Sequence, residues 1–312
     1  MDVDTAERAK ADAVGPQVHI INLRHRGRSV VAIVALLLVV ALGYSLLANP
    51  NINWAAIGYY FTEESILRGA LMTIQLTVLA MLVGLVLGLI FAIMRMSENP
   101  VLNGIANAYI WFFRGTPQLV QLIFWFNLAF LFPRIGIGSY TVDTNTVMTP
   151  FVAALIGLSL NEGAYMAEIV RAGILGVDPG QRQAATAMGM TPTQIMLRIT
   201  LPQAMRLIIP PTGNQAIAML KVTSLVSVIS ARELLTSAQI IYAKNFLIIE
   251  LLIVASFWYL IITTVATVGQ HYLEKWFNPE SGRNGRGRSA KRSRLTQISR
   301  GLKKSTAPTG KA

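Results

Sequence analysis

The 312-residue sequence contains no cysteine, and only 13% of its residues are charged. Without cysteine the chain has no disulfide, no thiolate metal ligand and no cysteine nucleophile. Soluble domains are typically about 25% charged, so this composition excludes an ordinary soluble domain. Apolar residues, by contrast, make up 53% of the sequence and give a mean hydropathy of +0.51. We therefore expect an integral membrane protein.

The positive charge is concentrated at the C-terminus. Eleven Lys/Arg and one glutamate between 275 and 311 supply +10 of the formal net charge of +12. The segment is rich in Gly, Ser, Lys and Arg and has no apolar periodicity, so we predict a disordered, basic cytoplasmic tail over 276–312. A basic tail directly after a membrane span is typical of a topology signal or of weak contact with anionic lipid. This distribution argues against nucleic-acid binding.

Six apolar stretches approach the roughly 20 residues with which a helix crosses a bilayer. They are 29–48, 66–94, 110–132, 150–172, 205–230 and 247–270. The predicted fold class is therefore all-α, with six transmembrane helices. Lys and Arg flank both ends of the chain, whereas the loops at 49–65 and 133–149 hold one basic residue, Arg134. Both termini are thus expected in the cytoplasm, with residues 1–28 as a cytoplasmic leader.

Small residues recur at every fourth position of the second span. They are Ala80, Gly84, Gly88 and Ala92. A stripe of this kind lets two helix backbones approach closely in lipid, so we predict that it packs against another helix.

A punctuated, alanine-rich segment separates the fourth and fifth spans. Asp178 predicts the start of a short helix, Gly189 its left-handed end, and Thr191 the cap of a second helix. Pro202 is expected to end this pair of helices. The first helix has a face of small residues: Ala184, Ala185, Ala187 and Gly189. Such a face fits packing within the chain and docking of another protein equally well.

The same segment resembles the EAA loop of ABC importer permeases, whose pattern is E-A-A, three residues, G, nine residues, I, one residue and L-P. The docking residues that this resemblance implies are Gly180, Gln183, Ala184, Ala185, Gly189, Ile199, Leu201 and Pro202. Gln183 departs from the family's glutamate. The stretches "FRGTP", "AYMAEIVRAGI", "LPQAMR" and "KVTSL" narrow the resemblance to polar amino acid permeases. In that subfamily the last motif usually reads K-D-T-S-L, so Val222 is a second departure.

The resemblance covers about residues 64–275 and implies a five-helix permease core, with the span at 29–48 as an extra N-terminal helix. It implies a permease subunit that imports a polar amino acid across a bacterial cytoplasmic membrane. The implied partners are two cytoplasmic ATPase subunits, an extracytoplasmic solute-binding protein and a second permease, identical or different. The sequence contains no G-x-x-x-x-G-K-[ST] phosphate loop, so ATP and Mg²⁺ are expected on the ATPase, and this chain is not expected to be an enzyme.

Polar residues within the fourth and fifth spans are candidates for the transport pathway. They are Asn161, Glu162, Asn214, Lys221, Thr223 and Ser224. An intramembrane carboxylate is costly and indicates function. Glu162 and Lys221 either pair with each other or act separately on the ammonium and carboxylate groups of a solute. The polar face of the fifth span is a pathway wall or a subunit interface, and we prefer the wall.

Other features of the spans are interpreted structurally. Pro210 and Pro211 are expected to break or kink the fifth span, and Glu168 and Arg171 to pair along their helix. The stretch 114–117 is expected to be a turn and helix start. The three histidines have no ligand spacing, so no metal site is predicted. A secondary carrier, or an importer of an opine or another amine-bearing solute, is the alternative function.

Overall fold

The computed structural model describes residues 26–138 and 140–277. The predicted basic tail and almost all of the leader lie outside these residues. The chain divides into two units, one ending at Ile52 and the other beginning at Asn53. The first unit contains helix α1 (Arg26–Leu47), whose 22 residues extend over about 33 Å. This helix coincides with the predicted first span.

In the described residues of the second unit, the secondary structure is helical apart from one hairpin. In chain order its elements are α2 (Trp54–Phe61), α3 (Glu64–Arg95), α4 (Pro100–Gly115), α5 (Gln118–Phe126), α6 (Leu128–Leu131), β1 (Arg134–Ile137), β2 (Tyr140–Asp143), α7 (Thr144–Val147), α8 (Pro150–Leu175), α9 (Pro179–Ala187), α10 (Pro192–Ile195), a π-helical turn (Met196–Thr200), α11 (Leu201–Val222), a 3₁₀ helix (Thr223–Ile229), α12 (Leu234–Asn245) and α13 (Ile248–Phe277).

Three of the described helices, α1, α3 and α13, are both long enough and apolar enough to cross a membrane. Helices α8 and α11 contain 26 and 22 residues, but their polar side chains lower their hydropathy. The mostly helical fold is as predicted, whereas the count of six spans stays a prediction.

Helices α3 and α8 form the most extensive helix pair of the second unit. The predicted stripe of small residues on α3 is buried along this contact. A Cβ atom added to Gly84 would lie 2.7 Å from Cγ of Glu162, and one added to Gly88 would overlap Met166. The two backbones can therefore approach only because these positions carry no side chain, and the predicted packing role of the stripe is confirmed.

The predicted third span, 110–132, is not a single helix. Helix α4 begins ten residues earlier and ends at Gly115, and α5 starts at Gln118. Between them Thr116 is extended (φ −108°, ψ 144°) because the ring of Pro117 disfavours a helical conformation in the preceding residue. The apolar composition of this stretch concealed the break.

The loop after α6 also differs from the all-α expectation. Strands β1 and β2 pair as an antiparallel hairpin in which Ile135 faces Val142 across the ladder. The described residues of both strands are exposed or half-buried. The hairpin is thus an addition to the helical core and not a part of it.

Helix α11 departs from the prediction for Pro202 and from one of the two outcomes, a break or a kink, that were expected at Pro210 and Pro211. It starts directly after the π turn, where Leu201 donates its N–H to Met196 O, so Pro202 lies in the first turn of a helix and does not end one. Proline is tolerated there because the π turn leaves the N–H groups of the first turn outside the regular i to i−4 hydrogen bonds. The lack of an N–H in Pro202 therefore removes no bond of that pattern. The helix also continues through Pro210 and Pro211 without a break.

Candidate docking segment and buried polar cavity

The docking segment, residues 178–202, is built by local hydrogen bonds. The Asp178 carboxylate accepts from Gly180 N at 2.8 Å and caps α9. At the other end Gly189 adopts φ +78°, and Met190 N and Gly189 N donate to Ala185 O (3.2 Å) and Thr186 O (2.9 Å). This is the Schellman pattern that a glycine permits at a helix end.

The second short helix is closed by the capping box that its sequence predicts. Thr191 N donates to Gln194 Oε1 at 2.9 Å, and Gln194 N donates to Thr191 Oγ1 at 3.4 Å. Because Pro192 has no N–H, three amide groups are free at this helix start, and two of them are satisfied within four residues. The predicted start and left-handed end of the first short helix and the predicted start of the second are confirmed, whereas the predicted end at Pro202 is not.

The face of α9 differs from the prediction at one position. Gln183, Ala184, Ala187 and Gly189 are exposed, but Ala185 is only 1% exposed. Placing Ala185 on the outer face was wrong, and the elements that pack against α9 include α10 and the π turn. Among the other predicted docking residues, Gly180, Leu201 and Pro202 are exposed and Ile199 is half-buried.

The second candidate site is a half-open cavity of about 450 Å³ between helices of the second unit. It is lined by the break between α4 and α5, by the middle of α8 and by the second half of α11. The lining residues are Thr116, Pro117, Gln118, Asn161, Glu162, Tyr165, Gln215, Ala218, Met219 and Val222. This volume lies within the range of small-molecule sites, roughly 300–1,000 Å³.

Two unpaired polar atoms belong to residues that line this cavity. Glu162 is 1% exposed, and its Oε2 accepts from Gln215 Nε2 at 3.1 Å, while its Oε1 has no partner. The amide nitrogen of Gln118 is likewise buried without a partner. Only four side-chain atoms in the described chain are buried and unpaired in this way. A buried acceptor and a buried donor are both costly when left unsatisfied, so the cavity is suited to a polar occupant.

Asn161, next to Glu162, has a structural role that its sequence position did not reveal. Its Nδ2 donates to Phe113 O at 2.8 Å and to Gln121 Oε1 at 3.3 Å. Gln121 in turn donates to Phe113 O and to Thr116. These bonds satisfy the carbonyl groups that the helix break at Pro117 frees, and they hold the cavity wall in place.

Among the polar residues of the fifth span, Gln215 bonds to Glu162, but none of the predicted pathway residues does. Lys221 and Asn214 are exposed, and within the described residues no ion pair joins Glu162 and Lys221. Thr223 is fully buried and donates to Leu220 O at 2.8 Å, and Ser224 donates to Lys221 O at 2.7 Å. Of the six predicted pathway residues, only Asn161 and Glu162 line the cavity.

The predicted pairing of Glu168 with Arg171 is confirmed at 3.1 Å, but two more arginines reach the same carboxylate. Arg95 forms an ion pair with Glu168, and Arg114 Nη1 lies 3.4 Å from Glu168 Oε1. The prediction that Arg114 belongs to a simple turn therefore missed its long-range contact. A basic residue three positions before a helix-breaking proline was the available signal.

Sequence analysis also missed three side chains of the cavity. They are Gln118, Tyr165 and Gln215. The signal for Gln118 was its place directly after Pro117 in an apolar stretch, where a polar side chain is expensive unless it has a function. Gln215 carried the same signal, because it is a polar side chain within the predicted fifth span, whereas Tyr165 is an ordinary half-buried residue until the helices meet.

Comparison with known proteins identifies the family. Residues 84–279 match the family of binding-protein-dependent transport system inner membrane components. This chain belongs to that family. It is 48% identical to the arginine transport system permease protein ArgU of Corynebacterium glutamicum over 84% of this chain and 83% of that protein. It is 41% identical to the L-cystine transport system permease protein TcyB of Bacillus subtilis over 66% and 84% of the two chains.

A solved structure agrees with these relatives. The crystal structure of an amino acid ABC transporter with histidines contains a chain that is 34% identical to this one. The two superpose with a TM-score of 0.64 over 72% of this chain and 99% of that chain. The similarity extends over nearly the whole chain of that transporter. The helical core of this family member therefore has the fold of an ABC transporter membrane subunit.

Proposed function

We propose that this family member is the permease subunit of an ABC importer that moves a polar amino acid across the bacterial cytoplasmic membrane. The relatives named above are permease proteins of arginine and cystine transport systems. The observation that carries the proposal for this chain is the cavity with one unpaired carboxylate oxygen, on Glu162, and one unpaired amide donor, on Gln118.

These two atoms complement the groups that every free amino acid carries. An ammonium group only donates hydrogen bonds, and a carboxylate only accepts them. Glu162 Oε1 would accept from the ammonium group, and Gln118 Nε2 would donate to the carboxylate. The carboxylate of the amino acid would therefore bind Gln118 and not Lys221, because Gln118 lines the cavity and Lys221 does not.

The energy for transport would come from two separate ATPase subunits, since the sequence lacks a phosphate-binding loop. Each would dock on the exposed part of the docking segment, which is Gly180, Gln183, Ala184, Gly189, Leu201 and Pro202. Small side chains let a partner approach the α9 backbone closely, and the capped ends make the surface rigid. ATP and Mg²⁺ would be held by the ATPase, and an extracytoplasmic binding protein would deliver the amino acid.

A second permease, identical or different, would cover the exposed polar face of α11. Lys221 lies three residues beyond Ala218, a residue of the cavity lining, and it is exposed on the described unit. A lysine near the centre of a bilayer costs about 2.5–3.5 kcal/mol on insertion scales. This cost favours a neighbouring subunit or an aqueous pathway at Lys221 over lipid. The six-span topology with both termini in the cytoplasm belongs to the same proposal.

Two alternative functions predict different behaviour. A secondary carrier would transport without ATP and would need a coupling ion. An importer of an opine or another amine-bearing solute would depend on ATP but would prefer that solute to the common amino acids.

The deciding experiment is reconstitution in liposomes with the ATPase and binding protein that the full-length chain retains on purification. Uptake of labelled arginine, glutamine, cystine and an opine is measured with and without ATP. The ATP is supplied on the side of the membrane where the docking segment lies. ATP-dependent uptake of one of the three amino acids is expected. Uptake without ATP, or uptake of the opine alone, would contradict the proposal.

A further inference from the structure

A cluster of charges lies next to the cavity and has no part in the solute contacts proposed above. One carboxylate, Glu168 on α8, receives guanidinium groups from Arg95 on α3, Arg114 on α4 and Arg171 on α8. Three positive charges around one negative charge leave a formal excess of +2. Such a cluster holds three helices together and at the same time contains one arginine more than two carboxylate oxygens need.

Arg114 is the least tightly held of the three arginines. Arg95 and Arg171 both hydrogen-bond to Glu168, and their side chains are 25% and 31% exposed. Arg114 contacts the same carboxylate at 3.4 Å as an ion pair without a hydrogen bond, and its side chain is 41% exposed. Glu168 would therefore keep a partner on each oxygen if Arg114 moved away.

The position of Arg114 connects this cluster to the cavity wall. Its guanidinium carbon lies 5.1 Å from the ring centroid of Tyr165, which lines the cavity. Two residues further along the chain, Thr116 also lines the cavity. Glu162, Tyr165 and Glu168 follow one another at three-residue intervals on α8, towards the helix end from which the docking segment continues. Arg114 thus lies at the end of the cavity that faces the docking segment.

We propose that Arg114 is a gate residue that closes the cavity on the side of the docking segment. The inference rests on the proposed function, because a gate requires a pathway. The closed position is held by stacking on Tyr165 and by the ion pair with Glu168. Both contacts are weak for a partly exposed side chain, so the position is reversible. When α4 and α8 separate, Arg114 leaves Tyr165 and carries the turn at Thr116 with it.

The absence of cysteine from the chain provides a direct test. In Ala218→Cys, the new thiol is the only one on this chain and lies in the cavity lining. Its labelling by membrane-impermeant thiol reagents, one cationic and one anionic, is measured from each face of the membrane in the reconstituted complex. Arg114→Gln in this background should accelerate labelling by both reagents several-fold from the docking-segment face, and not from the opposite face.

The two reagents separate a gate from a simple change of charge. If Arg114 acts only through its charge, Arg114→Gln will accelerate the cationic reagent and slow the anionic one, and the proposal is overturned. Arg68→Gln is the matched control, since it removes an arginine from an exposed ion pair with Glu64 at 2.5 Å, and it should change neither rate. Tyr165→Phe keeps the ring and should also label at the original rate, and acceleration there would contradict the stacking contact.

If Arg114→Gln does not assemble, Arg114→Lys replaces it in the same comparison, because lysine keeps the charge but not the planar group. It should accelerate both reagents as well, and unchanged rates would overturn the proposal. Labelling reports access and not transport. A chain that imports no amino acid would refute the proposed function, whereas unchanged labelling in an active importer would refute only the gate.

Discussion

The docking segment and the cavity are built in opposite ways. Every bond that shapes the docking segment closes within five residues, from Asp178 to Gly180 and from Thr191 to Gln194. The bonds around the cavity join residues that are far apart, such as Gln215 to Glu162 across 53 positions and Asn161 to Phe113 across 48. The shape of the docking segment is therefore determined by neighbouring residues, whereas the cavity forms only after three helices have packed.

Local sequence signals do not determine everything about the docking segment. Capping signals predict where α9 begins and ends, but they do not say which of its faces is covered. Ala184 and Ala185 are adjacent and chemically identical, yet one is exposed and the other is buried. This pair of residues allows docking and packing to be separated by experiment.

The largest effect is expected from tryptophan in this pair. Ala185→Trp should prevent assembly of the chain, because a buried site without free space cannot accept an indole ring. Ala184→Trp should assemble and melt like the wild type, yet lose nearly all ATP-dependent uptake because the ring blocks the docking face. The measurements are membrane yield, thermal unfolding and uptake in liposomes.

Asn145→Trp is the matched control for this pair, since Asn145 is exposed outside the docking segment. It should assemble and transport normally. Normal uptake by Ala184→Trp would show that the exposed face of α9 is not a docking site.

The next largest effect is expected in the cavity. Glu162→Gln removes a charged acceptor and keeps the size of the side chain. A hydrogen bond between charged groups contributes about 1.5–3 kcal/mol, so KM for the amino acid should rise about 10- to 100-fold. Thermal stability should stay near that of the wild type, because no cation of the described chain forms an ion pair with Glu162.

Glu64→Gln is the control for this change, since its carboxylate is exposed on α3. It should leave KM unchanged. A wild-type KM in Glu162→Gln would remove this residue from the solute contacts.

A smaller effect is expected at Lys221. Breaking a buried ion pair would cost about 3–5 kcal/mol, but Lys221 is exposed and does not pair with Glu162. Lys221→Met should therefore change the free energy of unfolding by less than about 1 kcal/mol. The double variant with Glu162→Gln should recover nothing, whereas partial recovery of stability in denaturant titrations would reveal a pair.

The smallest effect is expected at the start of α3. Glu63 caps this helix by accepting from Ser65 N at 2.7 Å, and the bond from the Ser65 hydroxyl holds the pKa of the Glu63 carboxyl below its usual value. Because the folded pKa is lowered, this stabilisation is present above the unfolded pKa and is lost as pH falls through the folded pKa. Glu63→Ala should cost about 1 kcal/mol at neutral pH.

Thermal unfolding at neutral and acidic pH measures this effect, and the difference between Glu63→Ala and the wild type should shrink on acidification. A difference that is constant with pH would mean that the charge of Glu63 does not contribute.

Much of the fold could be predicted from single stretches of sequence. The apolar runs predicted both ends of α1, α3 and α8 and the start of α13 to within three residues, while the predicted end of α13 was seven residues early. The small residues at Gly84 and Gly88 predicted a close helix contact. These predictions hold because membrane length, helix capping and close approach depend on residues within one or two turns.

The misjudged elements share a different cause. Apolar composition alone predicted one span over 110–132, although Pro117 divides it. Pro202 was expected to end the pair of short helices, but it lies in the first turn of α11. A proline restricts the residue before it and removes one N–H. Whether it divides, ends or starts a helix depends on where the neighbouring bonds can be made.

The sequence by itself determined that this protein is a membrane protein, where the docking segment starts and turns, and that a carboxylate lies within an apolar run. Each of these follows from composition or from bonds between near neighbours. Only the tertiary structure decided that Gln118 and not Lys221 shares a cavity with Glu162, that Ala185 is covered, and that Arg114 reaches Glu168. Whether a side chain on a helix is buried or exposed depends on which helix packs against that face. The sequence of the helix alone does not identify this neighbour.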